Sequence, residues 1–291
     1  GYRALKDVQS AQKNVALGFQ ALESNLDSHY NTAIGYDALS SYTGVGHNSA
    51  DGIVAVGYKA FESSVFGVYG TAVGYQAGQT CTGHYNTMFG YEAGQFGGAG
   101  SNQAFGMRAA RYVTGSGNCA FGYNAMRGTN GASYHANGYN SAFGNETMED
   151  LTDGDRNAAF GRYSLHALTS GNDNTGCGAG TLYGLTTGEY NVGVGSHVGG
   201  AITSGTGNVI VGGLSGNIST GVNNIVLGKS TASNIVDGGH NIAVGSNAMY
   251  GLRTSFNTVL GYRAGYGGSG AYQNTTHFNG YNVIIGHEAG Y

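Results

Sequence analysis

Proline does not occur once in these 291 residues, although average usage is near 5%. It has no N–H to give, so its absence suits a chain in which every segment hydrogen-bonds a neighbour. Charge is almost as scarce: 10% of residues are charged and the net charge is −4. Without a basic cluster, neither nucleic acid nor an anionic membrane is an expected partner. No apolar run approaches the roughly 18 residues that cross a bilayer, which excludes membrane insertion by a helix. The three cysteines, Cys81, Cys119 and Cys177, show neither a disulfide framework nor metal-ligand spacing. Catalytic residues, cofactors and metals are all expected to be none.

What the chain has instead is glycine, 56 residues of it, placed with a period. The unit reads Asn31-Thr32-Ala33-Ile34-Gly35-Tyr36-Asp37-Ala38-Leu39, again as Asn86 to Gly94 and Asn257 to Gly265. The motif glycines include Gly35, Gly90, Gly122, Gly161, Gly245 and Gly261, paired with Asn31, Asn86, Asn118, Asn157, Asn241 and Asn257. Of sixteen intervals between successive glycines, thirteen are 16 or 17 residues; two are 22 and one is 25. A helix-pair repeat needs roughly 33 residues or more, so this period predicts one rung of a parallel β-solenoid. The residues before each glycine are those of a short strand. Glycine, and asparagine after it, tolerate the backbone angles of a corner. Stacked asparagines are also expected to form a side-chain ladder. The strictly apolar position before each glycine argues against disorder, the competing reading of so polar a chain.

Alternation in a strand sends that large apolar residue and its predecessor to opposite faces. The predecessor is alanine in nine of sixteen units. One column is expected inside the coil. The other, the small-residue column, is expected to pack against identical chains, because soluble monomers do not expose apolar stripes of that length. The expected state is a homotrimer, intertwined or side by side.

Units such as Asn14-Val15-Ala16-Leu17-Gly18 and Asn241-Ile242-Ala243-Val244-Gly245 resemble the head repeats of YadA-type trimeric autotransporter adhesins. The extended form with Gly-Tyr-x-Ala is similar to repeats in phage tail fibres. This resemblance covers essentially the whole chain and implies a left-handed β-roll of three chains. The adhesin repeat is typically 14 residues, shorter than the one here.

The chain reads as a single repetitive domain over 1–291, roughly 75–80 Å long at about 4.8 Å per rung. It starts and stops in mid-repeat, so it is expected to be an excerpt of a longer fibre. The expected function is a structural segment of a phage tail fibre or bacterial surface adhesin, extracellular, on a cell or virion. Its partners would be itself and a cell-surface receptor or polysaccharide. The alternatives are a polysaccharide-degrading β-solenoid and a self-assembling extracellular filament; the column Thr32, Thr71, Thr87, Thr175 and Thr258 is broken by other residues, which argues against a regular ice-binding face.

Candidate contacts are of three kinds. An aromatic column follows the glycine, with Tyr36, Tyr58, Tyr75, Tyr91 and Tyr123; it offers either a platform for sugar rings or structural stacking. The three long rungs carry loops within Tyr42–Asp51, Thr129–Tyr139 and Gly267–Tyr281, with His135, Tyr139, His277 and Tyr281 as receptor contacts. The acidic stretch Glu149–Asp155 reads as a solvated turn rather than a calcium or hydrolytic site.

Overall fold

A computed structural model describes residues 1–42, 52–64, 69–129, 138–216, 218–233, 237–251, 254–267 and 280–290. The fold is an all-β parallel β-solenoid with sixteen short strands. Two units make up the chain, Gly1–Glu146 and Thr147–Tyr291. The first holds β1 (Val15–Leu17), β2 (Thr32–Ile34), β3 (Val54–Val56), β4 (Thr71–Val73), β5 (Thr87–Phe89), β6 (Gln103–Phe105), β7 (Cys119–Phe121) and β8 (Ser141–Phe143). The second holds β9 (Ala158–Phe160), β10 (Thr175–Cys177), β11 (Val192–Val194), β12 (Val209–Gly213), β13 (Ile225–Lys229), β14 (Ile242–Val244), β15 (Thr258–Leu260) and β16 (Val283–Ile285). Within each unit, successive strands pair in parallel with the motif aligned: Ala16 lies beside Ala33 and Leu17 beside Ile34. The alignment survives the long rungs, where Thr32 pairs with Val54 and Thr258 with Val283.

The strand faces are the reverse of the expectation. Ala33, Ala55, Ala72, Ala104, Ala120 and Ala142 are fully buried inside the coil. The large residue before the glycine points outward, with Ile34 36% and Phe160 44% exposed. The reason is the width of the coil. After each glycine the chain makes turns: Ala77 N–H donates to Gly74 O (3.5 Å) and Gln79 N–H to Gln76 O (3.3 Å). Positive φ at the third residue, Gln76 and then Gly78, is the type II pattern. These turns fold a second pair of apolar residues, such as Ala38 and Leu39, into the same interior. Strand and turn must therefore share a fixed volume. Ala33 is matched by Leu39 and Ala120 by Met126, all buried. Where the strand carries Met88 or Ile210, the turn has Gly94 or Gly216. A Cβ added at either glycine would sit 2.8 Å from Met88 Cε or Ile210 Cγ2.

The asparagine ladder is present. Asn102 N–H donates to Asn86 Oδ1 and Asn118 N–H to Asn102 Oδ1, both at 2.9 Å. In the second unit it runs through Asn157, Asn174, Asn191, Asn208, Asn224, Asn241, Asn257 and Asn282. Asparagine does not take the left-handed backbone expected of it. That conformation falls on the preceding residue, as at Tyr30 (φ 59°) and Tyr85 (φ 59°), which frees the asparagine to turn its amide inward. In the first unit the ladder skips Ile53 and Gly70. There Ile53 is buried, and the Phe61 ring lies 3.1 Å from where a Gly70 Cβ would be.

The motif glycines form their own column. Gly35, Gly90, Gly122, Gly161, Gly245 and Gly261 have φ between 120° and 139°. A Cβ on Gly90 would lie 2.7 Å from the Gly106 carbonyl carbon. Backbone angle and close approach each demand glycine here.

Candidate functional site

The turn after each glycine places its first residue outward, next to the outward strand column. In the first unit this builds the expected aromatic ladder. Tyr2, Phe19, Tyr36, Tyr58, Tyr75 and Tyr91 stack in order, with ring centroids 4.8–5.4 Å apart. Tyr123 occupies the same column beyond Met107. Along the ladder the ring faces are turned toward one another, so solvent meets ring edges and hydroxyls. A sugar needs a free face, and the stacked rings of this column cover theirs.

A second aromatic column lies one residue before the ladder position of the rung. It includes Tyr30, Tyr69, Tyr85 and Tyr139 in the first unit, and Tyr190, His240, Phe256 and Tyr281 in the second. All have positive φ, and the tyrosines are at least half exposed. Tyr69 stacks on Tyr85 at 5.7 Å; His240, Phe256 and Tyr281 stack at 4.9 Å steps. Sequence reasoning picked out Tyr139 and Tyr281 as loop contacts; the structure makes them members of this column. The available signal was aromatic residues recurring five positions before the glycine. Lysine, glycine and serine in the same column obscure it.

His135 and His277 lie outside the described residues, as do most of the three long-rung loops. Tyr42, at the start of the first such loop, is fully buried rather than available for contact. In the acidic stretch, Glu149 is buried with Oε2 3.3 Å from His166 Nε2. Asp155 N–H donates to Asn172 Oδ1 (2.8 Å). These contacts are structural, between neighbouring rungs.

The second and fifth positions after the glycine carry the charge. Glu23 meets Arg3 (2.8 Å) and Lys6 (3.7 Å); Glu62 meets Lys59 (2.8 Å); Glu92 meets Arg108 (2.9 Å) and Arg111 (3.1 Å). Asp37, between these rungs, has its carboxyl pushed up by desolvation, with Glu62 and Glu23 adding and Lys59 opposing. Glu23 and Glu92 are buried while their cationic partners reach the surface. Burial pushes the Cys81 thiol up to about 12, so it stays protonated and inert at physiological pH. It accepts from Asn86 Nδ2 at 3.0 Å and acts as a core residue. Of the other two thiols, Cys177 is exposed and Cys119 half-buried.

Comparison with protein-family models, curated proteins and solved structures gives no match. The resemblance to adhesin and tail-fibre repeats therefore rests on the repeat motif alone.

Proposed function

We propose that this chain is a non-catalytic structural segment of an extracellular fibre, of the phage tail-fibre or bacterial-adhesin kind. Its copies associate side by side, most simply as a homotrimer. One observation carries the reading: the outward column just before the motif glycine is apolar in every rung, and neither outward strand column contains a charged residue. In the first unit they run Val15/Leu17, Thr32/Ile34, Val54/Val56, Thr71/Val73, Thr87/Phe89, Gln103/Phe105, Cys119/Phe121 and Ser141/Phe143. The adjacent aromatic column widens this face. An apolar column running along successive rungs is longer than the patches soluble monomers ordinarily leave to water. The second unit continues the pattern with Val192/Val194, Val209/Val211, Ile225/Leu227 and Ile242/Val244.

Oligomerisation thus remains the proposal, moved from the alanine column to the large apolar column. Such a fibre acts mechanically, holding attachment sites away from the surface and summing weak contacts by avidity. Light scattering after size exclusion tests it. The expected mass is three times 29.7 kDa; a monodisperse single-chain mass contradicts side-by-side association.

A further inference from the structure

Two residues after the motif glycine, side chains of successive rungs share one column, and in the first unit that column brings acid and base together. Glu92 and Arg108, one rung apart, meet at 2.9 Å. Asp37 and Lys59 stand in the same relation. Ile34 pairs with Val56 in the strands before them, and Lys59 N–H donates to Tyr36 O (2.9 Å). Both have left-handed backbone, with φ of 51° and 55°, so their side chains leave neighbouring rungs from backbones about 4.8 Å apart. Lys59 gives its ammonium to Glu62 of its own rung instead, Nζ to Oε1 2.8 Å. Asp37 Oδ1 is left buried with no hydrogen-bond partner among the described residues, which a folded chain ordinarily avoids. Desolvation pushes the Asp37 carboxyl up against the pull of Lys59, with Glu62 and Glu23 adding to it. A carboxyl that resists ionising keeps a carbon open to a nucleophile, which a carboxylate does not.

We infer that Asp37 and Lys59 condense into an isopeptide bond between adjacent rungs, with Glu62 as the general base. Glu62 takes a proton from Nζ along their hydrogen bond, and the freed amine adds to Asp37 Cγ. Glu62 then gives that proton to the departing hydroxyl, so one water leaves as a C–N bond replaces the C–O bond. The second proton shed by the nitrogen passes to Glu62 and on to solvent. No oxidant or co-reactant enters. Holding the pair on adjacent rungs supplies the effective molarity that a dilute acid and amine lack. The Glu62 hydrogen bond also holds the Lys59 ammonium above its usual pKa, so condensation waits on proton transfer and completes slowly, after folding. Glu92 and Arg108 cannot follow the same course, because a guanidinium stays protonated. The bond would tie together the two ends of the first long rung, and like any cross-link it would restrict the unfolded chain.

Mass spectrometry of the intact, denatured chain tests this after prolonged incubation in the folded state. The parent is expected to weigh one water less than its sequence, and its tryptic digest to hold Asp37 and Lys59 in one branched peptide. Lys59→Arg keeps a cation for Glu62 but no nucleophile. It is expected at the full sequence mass, with a lower melting temperature than the parent. Glu62→Gln is expected to slow the loss of water at least tenfold. A parent that stays at its full sequence mass overturns the inference. So does a Lys59→Arg chain that still lacks one water, because that water would have left from another site. Neither outcome bears on side-by-side association, which is read from the light-scattering mass.

Discussion

Gly212→Ala is expected to cost about 4 kcal/mol or more, from positive-φ strain and backbone overpacking together, while Gly213→Ala, one residue on, is expected to be neutral. Gly212 has φ of 147°. Its added Cβ would lie 2.7 Å from the Gly228 carbonyl carbon, with the carbonyl oxygen closer still. The neighbouring rung cannot yield, because Val211 and Gly212 are paired in register with Leu227 and Gly228. Gly213 shares the same strand, yet nothing lies within 4 Å of its Cβ position and its φ is not positive. Replacing glycine at such a site changes stability by about 1 kcal/mol or less, often favourably, through the unfolded chain. Urea denaturation followed by far-UV circular dichroism checks the pair. Equal effects would mean that the glycine column is not the point of closest approach between rungs.

Asn191→Ala is the second large effect, expected at about 3–5 kcal/mol from several buried polar groups losing partners at once. Asn191 is fully buried. Its Nδ2 donates to Asn174 Oδ1 (3.0 Å) and Gly205 O (2.7 Å). Its Oδ1 accepts from Asn208 N–H (3.1 Å) and Asn208 Nδ2 (3.0 Å). Alanine strips an acceptor from one rung and a donor from another, and water has no route to replace either. The first unit shows what an asparagine-free rung requires. At Ile53 the side chain is itself buried, and at Gly70 the Phe61 ring fills the space. A single substitution to alanine supplies neither. The same denaturation experiment reads the loss; an effect below about 1 kcal/mol would reduce the ladder to the worth of one ordinary exposed hydrogen bond.

The period, the strands and the glycine and asparagine columns were legible in the sequence because each depends on one residue type at a fixed offset. Glycine and asparagine repeat where the backbone has no alternative. Which strand face is inside was not legible, and the reason is physical. Both faces are apolar, so alternation assigns a residue to a face without saying which face is buried. The usual guide, that the larger apolar residue goes in, fails in a coil this narrow, where Ala33 shares its space with Leu39. A subtler signal was available in the exchange of sizes, Met88 with Gly94 and Ile210 with Gly216, which ties the residue two before the glycine to the one four after it.

The central claim is that small residues line the coil and large apolar residues face other copies of the chain. The most direct test is the light-scattering mass of Phe105→Lys, with Ala104→Lys beside it. Phe105 stacks outward between Phe89 (5.2 Å) and Phe121 (4.5 Å), whereas Ala104 is fully buried. The account predicts that Phe105→Lys keeps its circular dichroism spectrum and falls to the single-chain mass of 29.7 kDa, while Ala104→Lys fails to fold. A Phe105→Lys chain that retains the parent's multimeric mass, or an Ala104→Lys chain that folds and dissociates, would contradict it.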